Sequence, residues 1–238
     1  MTKINIGQWI WQDFDVLTST NDWLLNNNLS AKYTHLICSA KQQTQARGRR
    51  GKKWISPLGN LYFSQMFYCS QNSIEIVYKT TVSLLQTIQT LCPNTTVKLK
   101  WPNDILINEK KLCGILIEKN KDDNYIIGIG INLQNCPNDK EVNYPAICLK
   151  DIGYNISRED FLRIYIDNFE KNLSKDFTDV CQIWLQNAYK LNDLITIKQN
   201  NTLIRGNFVG IDNCGALLLK QDNNDLIKIV TGEILYNG

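Results

Sequence analysis

His35 is the only histidine in 238 residues, so a histidine triad, a histidine metal cluster or an imidazole proton shuttle would each rest on one side chain. It stands in the strand-like run Tyr33 to Cys38, where a structural role is expected. The eight cysteines (Cys38, Cys69, Cys92, Cys113, Cys136, Cys148, Cys181 and Cys214) contain no C-x-x-C pair. That spacing suggests neither a zinc site nor a dithiol redox motif, and reduced, mostly buried thiols are expected. No run approaches the roughly 18 apolar residues of a membrane span. Met1 to Trp11 has no cationic stretch leading into an apolar one, so no secretory leader is expected and the protein should stay in the cytoplasm, away from membranes. No internal repeat is visible, and the abundance of Asn reads as compositional bias. An excess of one charge is also missing: 26 Lys and Arg face 23 Asp and Glu, a net charge of +3. A dedicated nucleic-acid binder would need that small excess concentrated. It is concentrated, between Lys41 and Lys53.

Hydrophobic residues at 43% and charged residues at 21% are close to ordinary soluble globular usage, so a folded chain is expected rather than wholesale disorder. The length suits one large domain, or a moderate domain with a small companion. Ser19 and Thr20 precede an acidic, apolar-periodic start at Asn21 to Leu25, which predicts a capped helix. Strands are predicted at Thr34 to Ala40, Asn60 to Tyr68, Val97 to Trp101, Ile105 to Ile107, Leu112 to Glu118 and Tyr125 to Leu133. Ile74 to Leu91 reads as an amphipathic helix stopped by Pro93, Ser157 to Asp160 as a capping box opening a helix through about Leu173, and Thr178 to Tyr189 as another helix. From Leu194 the texture changes to short strands near Leu194 to Lys198, Leu203 to Ile211, Ala216 to Lys220 and Leu226 to Val230, which predicts a small appended barrel.

Three segments carry chemistry. Gln43 to Trp54 holds Arg47, Gly48, Arg49, Arg50, Gly51, Lys52 and Lys53. Glycines let backbone N–H groups turn toward an anion and arginines bind phosphate in a bidentate manner, so a mobile phosphate-binding loop and a solvated basic patch are both open. Its spacing is neither a Walker A nor a Rossmann fingerprint, and Trp54 adds an aromatic able to cover a ligand. In the second segment, Lys98 to Asp104 and on to Glu118, Pro102 ends a strand and Asn103-Asp104 forms either a plain turn or a ligand-facing pair. Lys111, near Gly114, is either a snorkelling edge residue or a cation set against developing negative charge. In the third, Gly128 and Gly130 clear one face of a strand, which permits close ligand approach and equally fits tight packing.

Taken in order, S-T-N, then Q-T-x-x-R-G-R-R-G-x-x-W-x-S-P-x-G-N-L-Y-x-S, then K-W-P-N-D-I, K-K-L-x-G-I-L-x-E and G-I-G-I-N closely resemble the biotin–protein ligases over almost the whole chain. The tail from Gly210 through Gly215 to Gly232-Glu233-Ile234 resembles the family's C-terminal SH3-like domain. The resemblance implies an α+β fold, a mixed sheet flanked by helices related to class II aminoacyl-tRNA synthetases. It divides the chain into a catalytic domain, residues 1–190, and an SH3-like barrel, residues 191–238. It also implies that biotin is activated with ATP and Mg²⁺ and passed to a lysine of the biotin carboxyl carrier protein of acetyl-CoA carboxylase. Ser19, Thr20, Asn21 and Gln43 match the biotin ureido pocket, Arg47 and Arg49 the loop over biotin and the adenylate phosphate, and Trp54 the aromatic on the ligand. Lys111 matches the lysine beside the reacting carboxylate and α-phosphate, while Gly114, Gly128 and Gly130 border the biotin tail. Lys100, Asn103, Asp104 and Asn132 match ATP-side positions, Asp104 also serving as Mg²⁺ ligand and candidate helper of the acceptor amine. Lys111, Arg49 and Asp104 are thus the expected catalytic set.

One departure is Ala46, where many members carry glycine before the first loop arginine, which puts loop closure and adenylate retention in doubt. About 18 residues precede Ser19, too few for a helix-turn-helix domain, so a ligase-only form without DNA binding is expected. Homodimerisation through a sheet edge stays open. Two other readings compete. A lipoate or octanoyl ligase of the same superfamily would handle an apolar chain without a ureido ring, which leaves the polar set Ser19, Thr20 and Gln43 unexplained. A non-enzymatic RNA-binding module would use Arg47 to Lys53, yet no aromatics interleave with those charges.

Overall fold

The computed structural model describes residues 2–138 and 140–236. Its first half contains β1 Thr2–Ile6, β2 Trp9–Leu17, α1 Thr20–Asn26, β3 His35–Gln43, β4 Leu61–Phe67, α2 Ser73–Leu91, β5 Val97–Lys100 and β6 Asp104–Ile107. The second half follows with β7 Lys110–Lys119, β8 Tyr125–Ile131, α3 Arg158–Leu173, α4 Phe177–Gln186, β9 Leu194–Gln199, β10 Thr202–Ile211, β11 Leu217–Lys220, β12 Leu226–Ile229 and β13 Glu233–Ile234. Every strand and helix anticipated from the sequence is present within a few residues. The pair β1 and β2 was not anticipated, and β13 is a further strand. No helix among the described residues is long and apolar enough to cross a membrane.

The residues group into two units, Met1–Gln71 with Lys110–Ile166, and Asn72–Glu109 with Asp167–Gly238. In the first unit six strands run in the order β1-β2-β3-β4-β8-β7. Neighbours are antiparallel except β2 and β3, which are parallel. Both faces of the central strands are covered: all seven residues of β4 are buried. On one face α1 lays Leu24 against Leu36, Cys38, Met66 and Ile126; on the other, Phe63 meets the ring of Tyr165 from α3 edge-on at 5.3 Å. Burying a side chain of that size contributes about 1.5–3 kcal/mol. Alternation then sorts residues to faces. Because Met66 pairs with Ile126, Ser64 with Gly128 and Tyr62 with Gly130, all six stand on the α1 face. Gly114 pairs with Gly130, Leu116 with Gly128 and Glu118 with Ile126, which adds these three β7 residues to it.

In the second unit α2, α4 and the end of α3 from Asp167 accompany a β5–β6 hairpin and a five-stranded antiparallel sheet ordered β12-β11-β10-β9-β13. The barrel expected from the sequence is an open sheet, β12 and β13 standing at opposite ends of the strand order. An aromatic cluster secures it: Tyr78 of α2 packs on Phe177 and Trp184, Trp184 packs on Phe208, and the Tyr78 hydroxyl donates to the Gly215 carbonyl at 2.9 Å. The seam between α2 and the end of α3 is polar and tight. Asn172 Nδ2 donates to Ser83 Oγ and Gln86 Oε1, and the buried ammonium of Lys79 donates to the Leu173 carbonyl at 2.8 Å.

Candidate functional site

The α1 face of the first unit carries most of the residues singled out by sequence. Ser19 caps α1, its hydroxyl accepting from the Asp22 N–H at 3.3 Å. That cap aims Thr20 and Asn21, both buried, at the sheet. The Thr20 N–H and hydroxyl donate to Gln43 Oε1 at 2.8 and 3.2 Å, and Gln43 Nε2 reaches Ser56 Oγ at 3.5 Å. Ser64, from the sheet floor, donates to Asn21 Oδ1 at 2.5 Å and lies 2.7 Å from Thr20 Oγ1. Asn21 Nδ2 in turn donates to Glu118 Oε2 at 2.8 Å. A continuous line of hydroxyl, amide and carboxylate groups therefore crosses β3, α1, β4 and β7.

Glycines make room beside it. A Cβ on Gly128 would collide with the Asn21 amide, and one on Gly130 would sit 2.5 Å from Trp54 Cε2. One on Gly114 would lie 2.8 Å from Trp54 Cζ3 and 3.2 Å from Lys111 Cε. These three positions thus demand glycine because side chains of the site already press against the strand. The Trp54 indole lies across the glycine floor with its Nε1 donor buried and without a hydrogen bond. Lys111 Nζ stands 5.3 Å from the Trp54 ring centre and 4.9 Å from that of Tyr144, a cation held between two aromatic faces. The backbone of Lys111 is fixed by Pro145 and Ile147, through bonds of 2.8 and 3.1 Å. Asn132, at the end of β8, donates its amide to the Ile147 carbonyl at 3.1 Å, while its buried Oδ1 accepts no hydrogen bond.

The basic loop is a small hairpin. Trp54 N–H donates to the Ala46 carbonyl at 2.9 Å, Arg47 bridges Lys53, and Gly48 N–H donates to the Lys52 carbonyl at 2.6 Å. Arg50 and Gly51 make its tip with φ of 57° and 72°. Ala46 is buried and has no positive φ, so the backbone demand expected at that position falls on the tip instead. Arg49 is half-buried in the short 3-10 turn Arg49–Gly51. Arg47 turns back: Nη1 donates to Glu118 Oε1 at 2.8 Å and Nη2 to Asp22 Oδ1 at 2.7 Å. The Glu118 and then the Asp22 carboxylate hold its guanidinium pKa above the ordinary arginine value.

Lys100, Asn103 and Asp104 belong to the second unit, where Lys100 and Asp104 face each other across the β5–β6 turn. Lys100 is 2% exposed, and its Nζ lies 3.3 Å from the centre of the Tyr236 ring. Trp101 of the same turn is flanked by Gly232, where an added Cβ would come within 3.4 Å of the indole. His35 packs edge-on against Trp9 at 4.9 Å, on the sheet rather than in this constellation. Asp22, Ser56, Ser64, Glu118 and Tyr144 escaped the sequence reading. Glu118 alone had a usable signal, since it lies four residues from Gly114 on one strand and so on the same face.

The biotin/lipoate A/B protein ligase family model matches residues 14–132, and the biotin protein ligase C-terminal domain model matches residues 191–235. The bifunctional ligase/repressor BirA of Escherichia coli is 32% identical over 87% of this chain and 68% of its own length. A biotin–[acetyl-CoA-carboxylase] ligase of Paracoccus denitrificans is 26% identical over 84% of this chain and 89% of its own. Among solved structures, the biotin protein ligase of Aquifex aeolicus in complex with biotin and ATP superposes with a TM-score of 0.82 at 28% identity, covering 95% of this chain and 97% of that one. Motif order, the glycine floor under a tryptophan and these matches agree, and the chain belongs to the biotin/lipoate A/B protein ligase family, among the biotin protein ligases.

Proposed function

We propose that this chain activates biotin with ATP to biotinyl-5′-AMP and transfers the biotinyl group to a lysine of the biotin carboxyl carrier protein of acetyl-CoA carboxylase. One observation carries the reading: a polar line of Thr20, Asn21, Gln43 and Ser64 runs beside a side-chain-free floor at Gly114, Gly128 and Gly130, with Trp54 and Lys111 over it. A ureido ring presents two N–H groups and one carbonyl, and a set of hydroxyls and amides satisfies such a ring where an apolar wall would leave it unpaired. The glycine strip suits the aliphatic tail. Ser19, by contrast, acts through its cap, holding Thr20 and Asn21 in place.

Attack of the biotin carboxylate on the ATP α-phosphate brings like charges together, and Lys111 and Arg49 are the cations assigned to offset them. The Trp54 Nε1 and Asn132 Oδ1 are buried polar atoms that a bound ligand would satisfy. Trp54, Lys100, Asn103 and Asp104 complete the assignment to the nucleotide and adenylate, Lys100, Asn103 and Asp104 through the K-W-P-N-D string they occupy. No group of three or more His, Cys, Asp or Glu able to hold a metal occurs among the described residues. A single carboxylate such as Asp104 fits Mg²⁺ arriving with ATP, since that ion takes one or two protein carboxylates and fills its other positions with phosphate and water. Bound there, Mg²⁺ would neutralise phosphate charge. Ordering of the 46–54 hairpin over the mixed anhydride would exclude water until the acceptor amine attacks, with Asp104 the assigned helper in its deprotonation.

We read residues 1–190 as catalytic and 191–238 as the C-terminal domain, in line with the 191–235 match. The setting is cytoplasmic, and β1, at the end of the strand order, offers an edge through which a homodimer could form. The deciding experiment is biotin-dependent exchange of labelled pyrophosphate into ATP by the wild-type chain, Lys111→Ala and Arg49→Ala, with lipoate as control. Exchange with biotin alone, lost in Lys111→Ala, is expected; exchange with lipoate but not biotin would overturn the substrate, and none with either would overturn the activity.

A further inference from the structure

Of the loop's cations, Arg47 has both terminal nitrogens committed, one to Glu118 and one to Asp22, at charge-assisted distances of 2.8 and 2.7 Å. The partners sit on different elements, Asp22 in the first turn of α1 and Glu118 on β7. The Glu118 carboxylate is itself shared: one oxygen takes Arg47, and the other takes the Nδ2 of Asn21, the residue whose Oδ1 receives Ser64. Asn21 is wedged over Gly128, where no Cβ fits. Its amide orientation is therefore set by a donor on one side and an acceptor on the other.

We propose that Glu118 is a positioning residue which couples the 46–54 hairpin to the ring pocket, and that Arg47 is the hairpin's anchor rather than a receptor for the adenylate phosphate. The inference rests on the biotin reading of the pocket. Anion recognition in the loop then falls to Arg49 and Lys111, while Arg47 fixes the near end of the hairpin and leaves its tip, Arg50 and Gly51, to open and close. Glutamine at position 118 frustrates both contacts. Its single carbonyl oxygen serves either Arg47 or Asn21, and its NH₂ then meets a donor on the other side. Asparagine at position 22 loosens only the loop.

Trypsin provides a ligand-free readout, since the hairpin holds cleavable bonds after Arg47, Arg49, Arg50, Lys52 and Lys53. In the absence of ligand, Glu118→Gln and Asp22→Asn should each be cut within residues 47–53 about tenfold faster than wild type. By titration calorimetry without ATP, biotin should bind Glu118→Gln about tenfold more weakly, and Asp22→Asn within threefold of wild type. A role in fold stability alone would move both affinities together. Unchanged cutting in both variants would overturn the anchor, and equal loss of biotin affinity in both would overturn the coupling through Asn21. Should Glu118→Gln not unfold cooperatively, Glu118→Asp, which keeps the charge but shortens its reach, carries the same test. A wild-type chain that binds no biotin would refute the pocket reading, and the cleavage rates would still decide the anchor.

Discussion

Replacing Gly130 by alanine adds one methyl group in the middle of β8, a strand paired on both sides. The new Cβ would lie 2.5, 2.6 and 2.7 Å from Trp54 Cε2, Nε1 and Cζ2, where ordinary carbon contacts are about 3.5–4.0 Å. The strand is held by ladders to β4 and β7, so the indole must retreat by about 1 Å and tilt off the glycine floor. Overpacking of this kind costs roughly 1–3 kcal/mol, a factor of about 5–150 in an equilibrium constant. The sequence-local effect runs the other way, since alanine constrains the unfolded chain more than glycine does. The fold should thus lose little, and the cost should appear where Trp54 and the methyl group compete with the ligand. In pyrophosphate exchange, the biotin KM of Gly130→Ala should rise about ten- to a hundredfold. Thermal unfolding should shift by no more than about 5 °C. Gly114→Ala presses on the Trp54 ring edge and the flexible end of Lys111, so it should lower kcat as well. A folded Gly130→Ala enzyme with a biotin KM within twofold of wild type would refute the account of the floor.

Asn60 is fully buried, and its Oδ1 accepts from the N–H groups of Leu133, Gln134 and Asn135 while its Nδ2 reaches Tyr62 and the Asn135 carbonyl. Asn60→Ala should cost about 3 kcal/mol by stranding those donors, seen as a fall of roughly 6–12 °C in Tm; a loss under about 1 kcal/mol would refute it. Tyr236→Phe should keep the ATP KM within twofold because the ring over Lys100 remains, whereas Tyr236→Leu should raise it about three- to tenfold with the biotin KM unchanged; equal behaviour of the two variants would show that the ring face is not what matters. Asp212, 14% exposed, is held below the ordinary carboxylate pKa first by Lys228 and then by the N–H groups of Ala216 and Cys214. A depressed folded pKa stabilises above the unfolded value near 3.8 and loses that contribution as pH falls through the folded value. Asp212→Asn should therefore be less stable than wild type by about 1 kcal/mol at pH 7, and the gap should close as pH falls through the folded value; a gap independent of pH would remove the charge from the explanation.

Features that depend on residues close in the chain are legible in the sequence itself. Ser19 and Ser157 cap their helices as their positions imply, Ser157 Oγ accepting from the Asp160 N–H at 3.0 Å. The period-two runs form strands at nearly the expected bounds, and the ordered motifs point to the family that the comparisons show. The N-terminal strands are hidden because Trp9 to Leu17 mixes Gln12, Asp13 and Asp15 into its apolar run. Those polar groups are absorbed by distant partners, Asp13 by Arg158 at 2.8 Å and Asp15 by Lys41 at 2.6 Å.

Long-range pairing decides the rest. Arg47 has the same composition of neighbours whether it faces phosphate or protein, and only the approach of β7 to α1 gives it two carboxylates, Glu118 lying 71 positions away. Glycine at 114, 128 and 130 is equally consistent with tight strand packing until Trp54 and Asn21 arrive above it. The C-terminal strands show their alternation locally, yet whether five of them close depends on lengths and registers that no short window contains. Propensity, capping and periodicity act over a turn of helix or a few residues of strand. Charge pairing, steric exclusion and sheet closure act between segments whose proximity is a property of the folded chain.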